Sequence, residues 1–304
     1  MSTMGPETIA AVLPQGVAAP SRRPFGKRST WKTVAWAIVM VVLVAIVLYP
    51  LAWMLSASFK PTAEFGANQG FFPENPTVDN YFKVLEGIGG VPLWRFFLNS
   101  FLLAIGSVIG TVISASLAAY AFARIRFKGG GVWFAIMIGT LLLPFHVLII
   151  PQYMLFRSLD LVDTFAPLLV GKFLATEAFF VFLIVQFIRA LPRDMDEAAR
   201  IDGCGHGRIY WSIILPLIKP ALVTASIFAF IWSWNDFLGP LLYLNSTENY
   251  PLPLALRVFN DQTSTSDYGA TVAVSVLALL PILLFFIVFQ RFLVEGVSTQ
   301  GLKG

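Results

Sequence analysis

Residues 33–55 read TVAWAIVMVVLVAIVLYPLAWML, an apolar run without a charged side chain. A helix advances about 1.5 Å per residue, so roughly 20 such residues cross the ~30 Å hydrocarbon layer of a bilayer. Five further stretches pass the same test, at about residues 96–123, 132–155, 165–188, 217–242 and 270–292. The whole chain agrees. Of its 304 residues 57% are hydrophobic and only 12% charged, with a mean hydropathy of +0.75, whereas about a quarter of a water-soluble domain is charged. Helices satisfy their own backbone polar groups, as lipid demands, and the sequence lacks the short alternating segments of a membrane barrel. The expectation is an all-α integral membrane protein with six transmembrane helices.

Lysine and arginine set the direction of the helices, because cationic loops stay cytoplasmic. With the N-terminus inside, the cytoplasmic segments hold fifteen of the 21 lysines and arginines. The outer segments keep Lys60, Lys83, Arg95, Arg157 and Arg257, and Lys172 falls within a span. Both termini are therefore expected to be cytoplasmic. Residues 1–30, rich in Pro, Ala, Gly and Ser, read as a disordered cytoplasmic tail, and 31–304 as one membrane domain. Ser21-Arg22-Arg23-Pro24-Phe25-Gly26-Lys27 resembles a twin-arginine export signal, yet five more spans follow the first, so the arginine pair reads as a topology anchor.

Several chemistries lack their parts. One cysteine forbids an internal disulfide, and His146 and His206 are too few for a metal site without carboxylate help, so no metal is expected. Basic residues scattered between apolar runs do not make a nucleic-acid module. No Gly-x-Ser-x-Gly or His-Glu-x-x-His sequence occurs, which argues against an intramembrane enzyme. Gly171-Lys172 lacks the earlier glycine of a nucleotide phosphate loop. An ion-coupled secondary transporter predicts inverted repeats, and none is visible.

The cytoplasmic segment at about 189–216 is too long for a simple turn. Pro192 followed by Asp194, Asp196 and Glu197 marks a helix start, since carboxylates complement the positive end of the helix dipole. Gly203 is a stop, Gly205 and Gly207 continue the break, and a second helix follows near 208–215 before Pro216 and Pro220 lead back into the membrane. A short helix below the bilayer cannot bury itself. It either rests on the headgroups or docks on another protein, and Ala198 and Ala199 suit close approach.

The spacing decides between these. The row Glu197-Ala198-Ala199, three residues, Gly203, nine residues, Ile213, one residue, Leu215-Pro216 is similar at every position to the loop that marks the permease subunits of binding-protein-dependent ABC importers. Other stretches agree: Ser58-Phe59-Lys60-Pro61, Asn80-Tyr81, Asn99-Ser100, Ala118-Ala119-Tyr120-Ala121-Phe122-Ala123-Arg124 and Trp234-Asn235-Asp236-Phe237. The tail Gln290-Arg291-Phe292-Leu293-Val294-Glu295-Gly296, closing with Leu302-Lys303-Gly304, resembles the smaller, six-span permease of the maltose-type carbohydrate importers. The resemblance covers about residues 31–304. It implies a type I ABC importer permease fold in a bacterial inner membrane, paired with a second permease, with two ATPase subunits beneath and an extracytoplasmic solute-binding protein above. ATP and magnesium would sit in the ATPase, and this chain would bind no cofactor. Glu197, Ala198, Ala199, Asp202, Gly203, Ile213, Leu215 and Pro216 would form the ATPase-coupling element. A sugar is the implied solute, with glycerol phosphate esters or polyamines as the nearer alternative. Cys204-Gly205-His206-Gly207 departs from the family by its extra glycine.

Ionisable groups inside spans are costly and therefore candidates for function. Glu177 lies near the middle of the fourth span and reads either as a pathway residue or as a neutral interhelical hydrogen bonder. Lys172 stands five residues earlier, about 140° around a continuous helix, so a direct pair is not expected. Trp234, Asn235 and Asp236 in the fifth span are candidates for pathway or gate, since amide and carboxylate suit sugar hydroxyls, and Gly239-Pro240 interrupts the helix just beyond. A structural or gating role is favoured over sugar contact. Gly106-x-x-x-Gly110 is a close-packing signal.

Overall fold

The computed structural model describes residues 30–67, 70–262 and 267–298. Of the expected tail 1–30, residues 1–29 lie outside the described residues, as do Leu302-Lys303-Gly304 and the side chains from Gln290 onward. Two units divide the chain, one ending at Ala52 and one beginning at Trp53. The first holds most of α1 (Thr30–Ala57), which is without a charged residue after Lys32 and carries Pro50.

The second unit is wound around α4 (Leu93–Arg124). Before it come the short α2 (Glu64–Ala67) and α3 (Asp79–Glu86). After it run α5 (Gly130–Thr140), α6 (Phe145–Ser158), α7 (Ala166–Phe173), α8 (Ala178–Ala190), α9 (Asp194–Ile201) and α10 (His206–Ile209). A π-helical turn (Tyr210–Ile214) leads to α11 (Leu215–Leu217), α12 (Lys219–Trp234), α13 (Leu238–Tyr243), α14 (Leu252–Gln262) and α15 (Tyr268–Ser298). Among the described residues no extended strand forms; Ile88 and Val91 make an isolated bridge.

Four helical segments are long and apolar enough to cross a bilayer: Trp31–Ala57, Leu93–Arg124, Ala166–Ala190 and Tyr268–Phe289. A fifth is made if His206–Leu217 and Lys219–Trp234, bent by 75°, count together. The expected third stretch, 132–155, is divided into α5 and α6 by residues 141–144. Pro144 supplies no N–H and pushes the residue before it out of helical geometry, which accounts for the break.

Helix α4 packs against α12, α8 and α7. Its glycines allow the last contact: a Cβ on Gly106 would lie 3.0 Å from Leu169 Cδ2, and one on Gly110 2.8 Å from Phe173 Cδ2. Small residues let backbones approach where lipid provides no hydrophobic drive. Two apolar clusters result. Ala115, Ala119, Ile184, Ile188, Ala199 and Ile214 belong to the one that reaches α9, and Phe96, Ala104, Phe230, Trp234, Leu252 and Val274 to the other.

The motif residues outside the loop act as staples. Asn80 Nδ2 donates to the carbonyls of Ser58 and Lys60, both at 2.8 Å, and Ser58 Oγ shares a 2.7 Å hydrogen bond with Tyr81 Oη. Lys60 is buried and donates to Gly70 O at 2.5 Å. Asn99 Nδ2 donates to Glu248 O and Tyr250 O at 2.8 and 2.9 Å, while Ser100 Oγ accepts the Leu252 N–H at 2.8 Å. Asp163, ahead of α7, accepts from the Asn245 and Ser246 N–H groups at 2.9 and 3.0 Å and from the Ser246 hydroxyl. Burial pushes its carboxyl up, but those bonds and one from Asn249 outweigh it and hold the pKa at about 2.

Candidate functional site

Two groups of polar residues stand out, one around α9 and one inside the bundle. Helix α9 begins at Asp194, with Asp194, Asp196 and Glu197 in its first turn. It closes on Gly203, whose φ of +80° is left-handed. The Gly203 N–H then bonds Arg200 O and the Cys204 N–H bonds Ala199 O, both at 2.9 Å, so the last turn satisfies its own carbonyls. The residue after Asp202 therefore has to be glycine for conformational reasons, since a Cβ there would meet nothing within 4 Å.

The face of α9 divides cleanly. Asp196 and Ala199 are buried against the bundle, whereas Glu197, Ala198, Asp202 and Gly203 are exposed. Ile201 is 87% exposed, although it is apolar and sits on a helix otherwise rich in charge. Ile213 and Leu215 are half-buried and pack on the cluster beneath, and Pro216 is exposed. A cleft of about 370 Å³ opens between α9 and the end of α4, where Arg124, Arg126, Arg193 and Arg200 outnumber Asp196 and Glu197.

Inside the bundle, a second cavity of about 360 Å³ is lined by Ser107, Lys172, Trp232, Ser233 and Asp236 with Leu103, Leu168 and Pro240. The fourth apolar stretch is broken beside it, between α7 and α8, where Ala175 takes a φ of +55°. The break overturns the expectation about Lys172: its ammonium does bond the Glu177 carboxylate, because the two no longer lie on one continuous helix. Thr111 Oγ1 lies 3.4 Å from the other Glu177 oxygen, and Ser114 Oγ donates to Lys172 O at 2.6 Å.

The Trp234-Asn235-Asp236 segment splits three ways. Trp234 is buried, stacked on Phe230 at 5.6 Å and edge-on to Phe101 at 4.8 Å. Asn235 closes α12 by donating to Ile231 O at 2.8 Å. Asp236 borders the cavity and accepts the Gly239 N–H at 3.1 Å. Gly239 is close-packed: a Cβ would fall 2.5 Å from Asp236 Oδ2 and 3.0 Å from Leu168 Cδ2. Lys172, Ser107 and Ser233 were not singled out as cavity residues by sequence. The stripe of hydroxyls at Ser107, Thr111 and Ser114 in the middle of α4 was the available signal.

A bundle of apolar helices, a polar cavity within it and a short glycine-closed helix are the features of an integral membrane protein of the transport class. Residues 107–299 match the family of binding-protein-dependent transport system inner membrane components, and the chain belongs to that family. It is 32% identical over 283 residues to the arabinooligosaccharides transport system permease protein AraQ of Halalkalibacterium halodurans, covering 91% of this chain and 100% of that one. It is 31% identical over 280 residues to the diacetylchitobiose uptake system permease protein DasC of Streptomyces coelicolor, with 91% and 100% covered. A crystal structure of a bacterial ABC transporter involved in the import of alginate contains a chain that superposes with a TM-score of 0.76 at 25% identity, covering 88% of this chain and 99% of that one.

Proposed function

We propose that this chain is one of two permease subunits of an ATP-driven carbohydrate importer, and that α9 is the lever through which a separate ATPase drives it. The observation that carries this is the outward face of α9. Glu197, Ala198, Asp202, Gly203 and the apolar Ile201 are exposed on a helix whose other face is anchored by Asp196 and Ala199. An apolar side chain held in the open beside small residues is complementary to a protein cleft, and the arginine-rich cleft alongside favours an acidic rim on that partner. AraQ and DasC are named for oligosaccharide transport, which favours a saccharide as solute here.

In this reading the membrane is crossed six times. Helices α5 and α6 share the third crossing around the Pro144 break, α7 with α8 makes the fourth, and α12 with α13 the fifth; both termini lie in the cytoplasm. ATP and magnesium bind the ATPase pair. An extracytoplasmic binding protein delivers solute to the opposite side, and the cavity beside Lys172, Glu177 and Asp236 lies along the path. Only a contact that differs between two states can shift an equilibrium, so α9 must dock differently before and after nucleotide closure. The test is uptake of labelled oligosaccharides by cells carrying Glu197→Lys or Gly203→Asp. Both variants insert into the membrane and transport nothing; normal uptake in either removes the assignment of α9.

A further inference from the structure

Arg124, at the last turn of α4, is the point where three elements meet. Its Nη2 donates to Leu191 O, the residue that closes α8, at 2.9 Å. Its Nε lies 3.0 Å from Asp196 Oδ2 on α9. The pair is deeply buried, with side-chain exposures of 3% and 9%. Arg124 Nε and Asp196 Oδ1 are both buried without a hydrogen-bond partner among the described residues, so the two groups compensate one another as a close ion pair and each depends on the other.

The same face of α4 makes two further polar contacts, each one turn higher. Tyr120 Oη meets His206 Nδ1 at 3.2 Å, and Ser116 Oγ shares a hydrogen bond with Tyr210 Oη at 2.7 Å. Ser116, Tyr120 and Arg124 recur every four residues and so lie one above another. They grip, respectively, the π-helical turn, α10 and α9. The cytoplasmic segment is thus fastened along the helix that packs on α7, α8 and α12, instead of hanging from its two covalent ends.

We propose that Arg124 is a positioning residue for coupling: through its buried pair with Asp196 and its bond to Leu191 it makes α9 and the ends of α4 and α8 move as one body. This rests on the reading of α9 as the ATPase lever. Without the pair the ATPase would still seat α9, but the displacement would be absorbed at Pro192 and in the glycines from Gly203 to Gly207 before it reached the bundle.

The importer, assembled with its second permease and ATPase subunits in nanodiscs, permits the test. Ser233→Cys in the bundle cavity reports accessibility to a water-soluble maleimide, before and after trapping magnesium–ADP with vanadate. Arg124→Gln leaves Asp196 uncompensated, so the paired variant Arg124→Met with Asp196→Leu, which buries no charge, is run beside it. The expected result is that the paired variant retains its ATPase subunits and hydrolyses ATP while the nucleotide-driven change in labelling is lost, and that Arg124→Lys recovers part of it. An unchanged labelling response in the paired variant overturns the proposal. So does failure of that variant to hold the ATPase, which would make the pair a scaffold for α9 and no more. A response lost in Glu197→Lys but intact in the paired variant removes only the clamp; a response intact in both removes the lever reading itself.

Discussion

Lys172 donates to the carboxylate of Glu177, five residues further along the same apolar stretch, across the break between α7 and α8. Their side chains are 24% and 27% exposed within an apolar stretch, where a charge is costly and each compensates the other. Glu177→Gln leaves the ammonium with a neutral partner. The thermal midpoint of the purified complex is expected to fall by the equivalent of about 1.5–3 kcal/mol, the worth of a hydrogen bond to a charged group. Lys172→Met combined with Glu177→Gln recovers most of it. Calorimetry or a fluorescence melt of the single and paired variants checks this, and a paired variant no better than the single one sinks it.

The staples at the end of the bundle remote from α9 predict a different defect. Asn99→Leu strips the donor from the Glu248 and Tyr250 carbonyls, and Asn80→Leu does the same to Ser58 and Lys60. Each orphaned acceptor costs about 1–3 kcal/mol if it stays buried, so the segment opens to water instead. Protease added outside spheroplasts should cut near residues 243–251 faster in Asn99→Leu than in the unaltered protein, while membrane insertion is unchanged.

How far the sequence could be read follows from the range of each signal. Bilayer residence and the α9 motif were legible because both are local: apolar runs for one, a helix start and a glycine stop for the other. The break within the fourth stretch was not, whereas the one in the third carries Pro144 as its local mark. Hydropathy sums over about 20 residues and does not register a left-handed Ala175. For the same reason the Lys172–Glu177 pair was expected to be strained. Asp196 was visible only as a helix-start carboxylate, since its partner Arg124 lies 72 positions earlier and no short-range pattern joins them. The staple residues could be quoted as motifs, but what they hold depends on loops that meet only in the fold.

Asp163 gives a pH dependence whose sign is fixed. Its pKa of about 2 in the folded chain lies below the ~3.9 of a free aspartate. The unfolded chain therefore binds the extra proton first, and the stability this carboxylate contributes is fully present above about pH 4 and is lost as the pH falls toward 2. Asp267, bonded to Lys83, Thr62 and the Ala270 N–H, is likewise held below its ordinary value against the upward push of burial, and acts in the same direction. Hydrogen exchange at the Asn245 and Ser246 amides should stay protected at pH 5 and lose that protection near pH 2. Asp163→Asn should show weaker protection already at neutral pH and less change on acidification.

Orientation has its own direct check. With fifteen of the 21 lysines and arginines assigned inside, a reporter fused after Gly304 should be active only as a cytoplasmic protein. A reporter active on the outer side there would remove one crossing from the six. The suspect would then be α5 with α6, neither of which spans a bilayer alone.

Asp236 separates a scaffold role from contact with solute. Its Oδ1 accepts the N–H of Gly239, in the first turn of α13, and an asparagine oxygen can do the same. If the carboxylate serves mainly to hold that turn, Asp236→Asn retains near-normal uptake, whereas Asp236→Leu leaves the Gly239 N–H without its partner, at about 1 kcal/mol for a lost hydrogen bond, and transports poorly. Kinetics of uptake distinguish the alternative. A sharp rise in the half-saturating solute concentration for Asp236→Asn, with the amount of protein in the membrane unchanged, would mean that the negative charge itself meets the solute in the cavity it shares with Lys172, Ser107 and Ser233.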